Sequence, residues 1–381
     1  MRIKVLKIIS WLVVLGVLGA GLYYLQLSNR HKAIVKTTLL HTLGMGGGWY
    51  VTYEEGRTSY LTPSLFVDNI YTSMEGPKVM QGFQINPNSE DLVWISGYQT
   101  QVMAADGITP MANDFMCHTN LDYYDQSYYS KWQLPNRIGV NYPRLATLTN
   151  GMESYTYPEG FGFPIKSNEY LYLSTQILNH NIKAPMMGMR HKVNIFHQPD
   201  SPAMKPLRPL TVFMMLPYDS DSPFDNEAAK TDPSVCIPVE TKNHNYSQAD
   251  GTQLSGHWVV FPGQWTFTND ITEQLAIKDT VSLHHIATHL HPFAETLSLY
   301  DGNTGELIFK ARATNLKDRV GLEDITEFSS KEGVMLYPGH NYELKLEVNN
   351  TSGKKQDMMA SMFLALYDEK LDKVLKSRFA D

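Results

Sequence analysis

The segment His284-His285-Ile-Ala-Thr-His289-Leu-His291-Pro292 is the densest histidine cluster in the chain. Residues i and i+2 of a β-strand point to the same face, so His289 and His291 can present two imidazoles side by side to one metal ion. His285 shares their parity and reads equally as a hydrogen-bonded structural histidine. A second element, Gln356 to Tyr367, carries Met358, Met359 and Met362 on an apolar strand. Methionine commonly fills gaps in cores. A thioether beside two imidazoles instead selects a soft metal, copper and especially Cu(I), over zinc or magnesium. The third element is Phe115-Met116-Cys117-His118-Thr119-Asn120-Leu121. Neighbours on a regular strand face opposite ways, so Cys117 and His118 cannot both serve one site, and His118 is the better ligand candidate. Cys117 is a soft ligand, a buried thiol, or half of a disulfide with Cys236.

Composition narrows the alternatives. The 381 residues include 32 Lys+Arg against 39 Asp+Glu, a net charge of −7 with no basic stripe, which argues against nucleic-acid binding. Two cysteines exclude a disulfide-dense scaffold and a Cys-rich zinc module, so metal chemistry falls to the 13 histidines and 18 methionines. There is no Gly-x-Ser-x-Gly elbow, no Gly-x-x-x-x-Gly-Lys loop and no His-Glu-x-x-His. His191, His197, His244, His257 and His340 are scattered and read as surface or structural residues.

These candidates must be held by elements of a definite kind. Arg2, Lys4 and Lys7 precede an apolar run from Ile8 to Leu27, and Arg30 and Lys32 follow it. As a helix that run is about 30 Å long, enough to cross a bilayer core. A cleaved signal has a shorter apolar region and a small-x-small site, so residues 1–32 read as an uncleaved anchor, with a removed signal as the alternative. The soluble remainder is expected outside the cytoplasm, periplasmic or extracellular. Beyond it, Leu92–Tyr98, Tyr170–Leu178, Val193–His197, Leu210–Leu216 and Trp258–Phe261 alternate with turn residues in the manner of antiparallel sheets. The body lacks helical periodicity over a dozen residues, apart from a short helix expected at Ile271–Ile277 with Asp270 as N-cap. The expected fold is all-β: two antiparallel, jelly-roll-like β-sandwiches after one N-terminal transmembrane helix. Pro199, Pro202, Pro206 and Pro209 place the boundary between residues 33–205 and 206–381. The acidic stretch Pro217–Pro233 reads as a solvated loop.

The order Cys117-His118, Gln176-Ile-Leu-Asn-His180-Asn181, His289-x-His291, Met359 resembles the type II, ascorbate-dependent copper monooxygenases, that is, the peptidylglycine α-hydroxylating and dopamine β-monooxygenases. The similarity runs over roughly residues 50–370 and is strongest from His257 to Tyr367. It implies two β-sandwich domains, each holding one copper, across an open, solvent-filled cleft. By the same resemblance, His289, His291 and Met359 would bind the catalytic copper that activates O2, with Met358 or Met362 as substitutes if the register slips by one. The electron-transfer copper would use His118, His180 and Cys117. Here the chain departs from the family: Cys117-His118 stands where the family has a His pair, and the usual third ligand position falls on Leu178. The positions that grip a peptide carboxylate in amidating members fall on Ala287, Ser361 and Phe363, which disfavours a glycine-extended peptide.

The function implied is a membrane-anchored copper monooxygenase that hydroxylates a C–H bond of a small molecule. It would use O2, one or two copper ions and an ascorbate-like external reductant. A protein on the same fold that only binds copper or a partner is the alternative, and the altered first-domain ligands favour it.

Overall fold

A computed structural model describes residues 2–73, 75–183, 187–217 and 254–379. The apolar run forms a helix over Arg2–Gln26, and Ile9–Gln26 is long and apolar enough to cross a membrane. Ser28 breaks it and caps a second helix, Asn29–Thr42, its hydroxyl accepting from the His31 N–H. That fourteen-residue helix corrects the expectation that the body begins directly with strands. Its apolar residues do not form one stripe: Ala33 and Thr37 are buried while Ile34, Val35 and Leu39 are exposed, so periodicity could not reveal it. Lys36 anchors it to the body through Asp68 and Tyr71.

The body is all-β, built as two sandwiches. In the first, Tyr50–Glu54, Arg57–Leu61, Met187–Pro199, Leu92–Ala104 and Phe161–Lys166 lie side by side. They face a four-stranded sheet of Lys78–Phe83, Leu171–Ile177, Met116–Tyr123 and Arg144–Leu148. Thr100 and Thr119 meet between these layers at 3.3 Å, and Tyr123 packs on Phe163. In the second, Lys205–Phe213, Ala360–Tyr367, Val281–Leu290 and Phe328–Leu336 oppose a five-stranded sheet that includes Ala294–Asp301 and Tyr342–Asn350. Alternating burial along Tyr342–Asn350 is the period-2 signature of a strand with one face on a core.

The two sandwiches share a sheet. Lys205 and Pro206 pair in parallel with Phe161 and Gly162, so the large sheet runs from one half into the other. The hydrophobic core is continuous as well, joining Trp94 and Phe163 to Leu210, Leu346 and Leu364. Arg137 of the first half grips the Asp368 carboxylate of the second with two N–H donors.

Several expected boundaries shift. The proposed division at residue 205 falls where the strand Lys205–Phe213 begins, and Pro206 and Pro209 lie inside that strand rather than in a linker. Its parallel partner pairs only at the first two residues, so the remaining edge is open to a residue without an N–H. Asp270 supports the short helix Thr272–Leu275 by accepting from the Thr272 N–H, while the cap position itself is Ile271. The Gln356–Tyr367 strand is two strands, Gln356–Met358 and Ala360–Tyr367, interrupted at Met359. Cys236, His244 and most of the acidic stretch lie outside the described residues.

Candidate metal centre

His289 sits near the end of the strand Val281–Leu290, opposite Ser361 in register, and His291 follows just beyond it. The paired register ends at Leu290 opposite Ala360, and Met359 lies just outside it, at the break between two strands. The His289 and His291 ring centroids are 5.3 Å apart with planes at 78°. Two imidazoles bound to one ion at about 2.0–2.1 Å, in tetrahedral geometry, have centroids about 5 Å apart. The pair therefore has the spacing of a shared ligand set. The backbone after His291 turns sharply: Phe293 adopts φ 74°, and the side chain of Asn315 accepts from its N–H at 2.6 Å. A left-handed Phe is uncommon and persists only where neighbours hold it.

Hydrogen bonding separates the two histidines. The Nδ1–H of His291 donates to the Asp357 carbonyl at 3.3 Å, leaving Nε2 as the acceptor, 3.4 Å from the Ser73 hydroxyl. An imidazole tied through one nitrogen to a carbonyl is the usual orientation of a metal-ligating histidine. His289 Nδ1 is buried and has no hydrogen-bond partner among the described residues. A buried orphan of this kind costs about 1–3 kcal/mol unless something satisfies it.

The methionine question resolves by side-chain direction. Met358 and Met362 are fully buried in the hydrophobic core. Met359 instead lines a cavity of about 350 Å³ together with His289 and His118. A second cavity, of about 370 Å³, is lined by His289, His291, His180 and Cys117. His289 borders both.

The first-half candidates are thus divided. Gln176 pairs with His118 and Ile177 with Met116, which leaves Cys117 as the extra residue of a β-bulge. Bulges re-aim side chains. Here the bulge sends Met116 and Cys117 to the His291 cavity and His118 to the Met359 cavity. His180 lies past the end of its strand rather than on it. The Asn179 side chain builds the turn that presents it, donating to the Asn69 and Ile182 carbonyls and accepting from the Ile182 N–H. The loop carrying Ser73 presses close to this region: a Cβ on Gly76 would fall 1.8 Å from the Ile177 carbonyl oxygen.

Burial governs the electrostatics. It pushes His289 down to about 4, with the Arg144 charge adding to the effect. It holds His291 well below the usual imidazole range, helped by His289 and His257. His118 is well below that range for the same reason, with the neighbouring His289 imidazole the next cause. His180 is lowered to about 4, by burial and then Lys354. All four are neutral at pH 7, with a lone pair available. Arg144 keeps its charge through a paired contact with Asp122, at 2.6 and 3.0 Å.

Among the described residues, no three His, Cys, Asp or Glu side chains lie close enough to hold a metal ion by themselves. A metal at the His289 pair would therefore depend on a donor of another kind, and Met359 lines a cavity with His289. Two imidazoles and a thioether fit copper, as a soft, neutral set.

Other residues take structural or neighbouring roles. His285 bonds Glu327 at 3.1 Å, and His284 bridges Ser282 and the Ser330 carbonyl. His340 pairs with Asp301, and His197 contacts Thr58. Two histidines that looked unremarkable in the sequence are buried: His191, and His257, whose ring lies 6.3 Å from that of His291. His257 had a sequence signal only in hindsight, as the residue beside Trp258 on a core strand. Ser73 and Asp357 carried none.

No protein-family model matches the sequence, and no curated protein matches it. Among solved structures the chain is similar to N-glycanase F (PNGase F), at 10% identity over 82% of this chain and 96% of that one, with a TM-score of 0.35. It is similar to PNGase F, a glycosylasparaginase from Flavobacterium meningosepticum, at 9% identity, 84% and 95% coverage and a TM-score of 0.33. A third neighbour is the major capsid protein P2 from Bacteriophage PM2, at 7% identity, 77% and 98% coverage and a TM-score of 0.28.

Proposed function

We propose that the chain is a copper-dependent monooxygenase-like protein, anchored by its N-terminal helix with the β-body outside the cytoplasm. The observation that carries the reading is the His289–His291 pair at ligand spacing, with an orphaned buried His289 nitrogen and Met359 lining a cavity beside His289. His289 would bind through its free nitrogen, and His291 through Nε2 while its Nδ1–H stays on the Asp357 carbonyl. Copper held there would supply one-electron redox chemistry towards O2, with the thioether favouring Cu(I). Burial keeps the imidazoles neutral, so binding does not compete with a proton above about pH 6. Cavities of about 350 and 370 Å³ suit a small substrate. The overall reaction balances as R–H + O2 + 2e⁻ + 2H⁺ giving R–OH and water, an ene-diol reductant such as ascorbate supplying the electrons.

A second reading, copper binding without hydroxylation, is favoured by the division of Cys117 and His180 from His118. Cys117 and His180 line one cavity and His118 the other. Copper content of the purified chain tests both readings together. The double variant His289→Ala, His291→Ala should lose one copper per chain; unchanged content removes both. If copper binds, reductant-dependent O2 uptake across a panel of small C–H substrates separates the enzyme from the binder.

A further inference from the structure

We infer that His118, from the first sandwich, is a ligand of the same copper as His289 and Met359 in the second, so that one metal centre ties the two halves together. This rests on the copper reading and departs from the arrangement that the family resemblance implies, in which His118 would belong to a separate ion.

Three observations lead there. His118, His289 and Met359 line one cavity of about 350 Å³, whereas Cys117 and His180, the partners His118 would need for its own centre, line the other. Neither the His118 ring nor the His289 ring makes a hydrogen bond among the described residues, while His291 is already held through Nδ1 by the Asp357 carbonyl. A buried imidazole nitrogen with nothing to bond, as at His289 Nδ1, is costly unless a ligand completes it. The third observation is the path of the backbone. The strand Arg144–Leu148, at the edge of the sheet that carries His118, packs against both Val281–Leu290 and Ala360–Tyr367. The bulge at Cys117 then selects which side chain of this pair faces that seam.

A soft set of two imidazoles and a thioether suffices for Cu(I), with His291 flanking His289 as a further nitrogen donor. A centre built this way holds one copper per chain. It also binds the folded arrangement of both halves and not the unfolded chain, so copper must raise the melting temperature.

The test uses the full-length chain in detergent, titrated with Cu(I) against a chromophoric chelator and examined by X-ray absorption at the copper edge. Expected for the unaltered chain are one copper, a sulfur scatterer and a copper-dependent rise in melting temperature. Loss of partners one shell further out typically costs 10–100-fold in affinity, so His118→Ala should weaken Cu(I) binding by at least about 10²-fold. It should also remove one imidazole from the absorption spectrum, with His340→Ala unchanged. Should His118→Ala not fold, His118→Gln fills the same space and carries the same expectation. Full affinity and an unchanged imidazole count in the His118 variant overturn the inference and leave the copper reading intact. A second copper lost with His118 also overturns it. An unaltered chain that binds no copper removes both.

Discussion

Met358, Met359 and Met362 stand on one C-terminal segment with nearly the same local sequence, yet they do different work. Met358 pairs with Trp258 on the neighbouring strand and is fully buried, as is Met362. Met359 falls at the break between two strands and turns to the cavity. Met359→Leu, close in volume, should leave the fold intact and weaken Cu(I) by roughly 10–100-fold, with a smaller effect on Cu(II), because only the soft ion gains from the thioether. Met358→Leu should leave Cu(I) affinity unchanged and cost under about 1.5 kcal/mol of stability. Chelator competition with both oxidation states reads the difference. Equal losses for Cu(I) and Cu(II) in Met359→Leu would show that the thioether is not a ligand.

At the scale of elements, the site depends on how strand ends are fastened. The bulge at Cys117 and the break at Met359 are both places where the ladder fails to continue, and both aim a side chain into the seam between the sandwiches. At the other end of the strand Ala360–Tyr367, the two halves are joined by Asp368, which caps the C-terminal helix Glu369–Lys376 by accepting from the Leu371 N–H at 3.0 Å and also pairs with Arg137. Its side chain is 3% exposed. Asp368→Ala removes a cap and strands a largely buried guanidinium, so it should cost about 3–5 kcal/mol in denaturant unfolding. A loss below about 1 kcal/mol would mean that the pair contributes little to joining the halves. No helix was expected from the sequence after Tyr367, and the pairing with Arg137 was beyond its reach because the two residues are 231 apart in the chain.

For the whole molecule, the buried imidazoles make stability depend on pH. His191 is fully buried, with Nε2 unpartnered among the described residues, and burial lowers it to about 3. The unfolded chain binds that proton near the ordinary value of about 6.5, well before the folded chain does. The unfolded state therefore holds more protons between about pH 6.5 and 3, and stability falls as pH falls through that window, by about 1.4 kcal/mol per unit for one such group. Above pH 6.5 the group adds no pH dependence. Denaturant unfolding of the copper-free chain should show this slope, and His191→Gln should reduce it by one proton; an unaltered slope would mean that His191 takes its proton in the folded state.

The sequence by itself determined the local grammar: an apolar helix at the N-terminus, short alternating strands, and a strand that sets His289 beside His291. Those follow from hydrophobic period and residue type, which act over a few residues. The tertiary structure decided which of three methionines faces the cavity and that Met116 and His118, which alternation would put on one face, line different cavities across a bulge. It decided too that His118 lines one cavity with His289, because each depends on a register or a seam formed by strands far apart in the chain. The helix Asn29–Thr42 belongs to the same class: its burial is fixed by what it packs against, not by its own pattern.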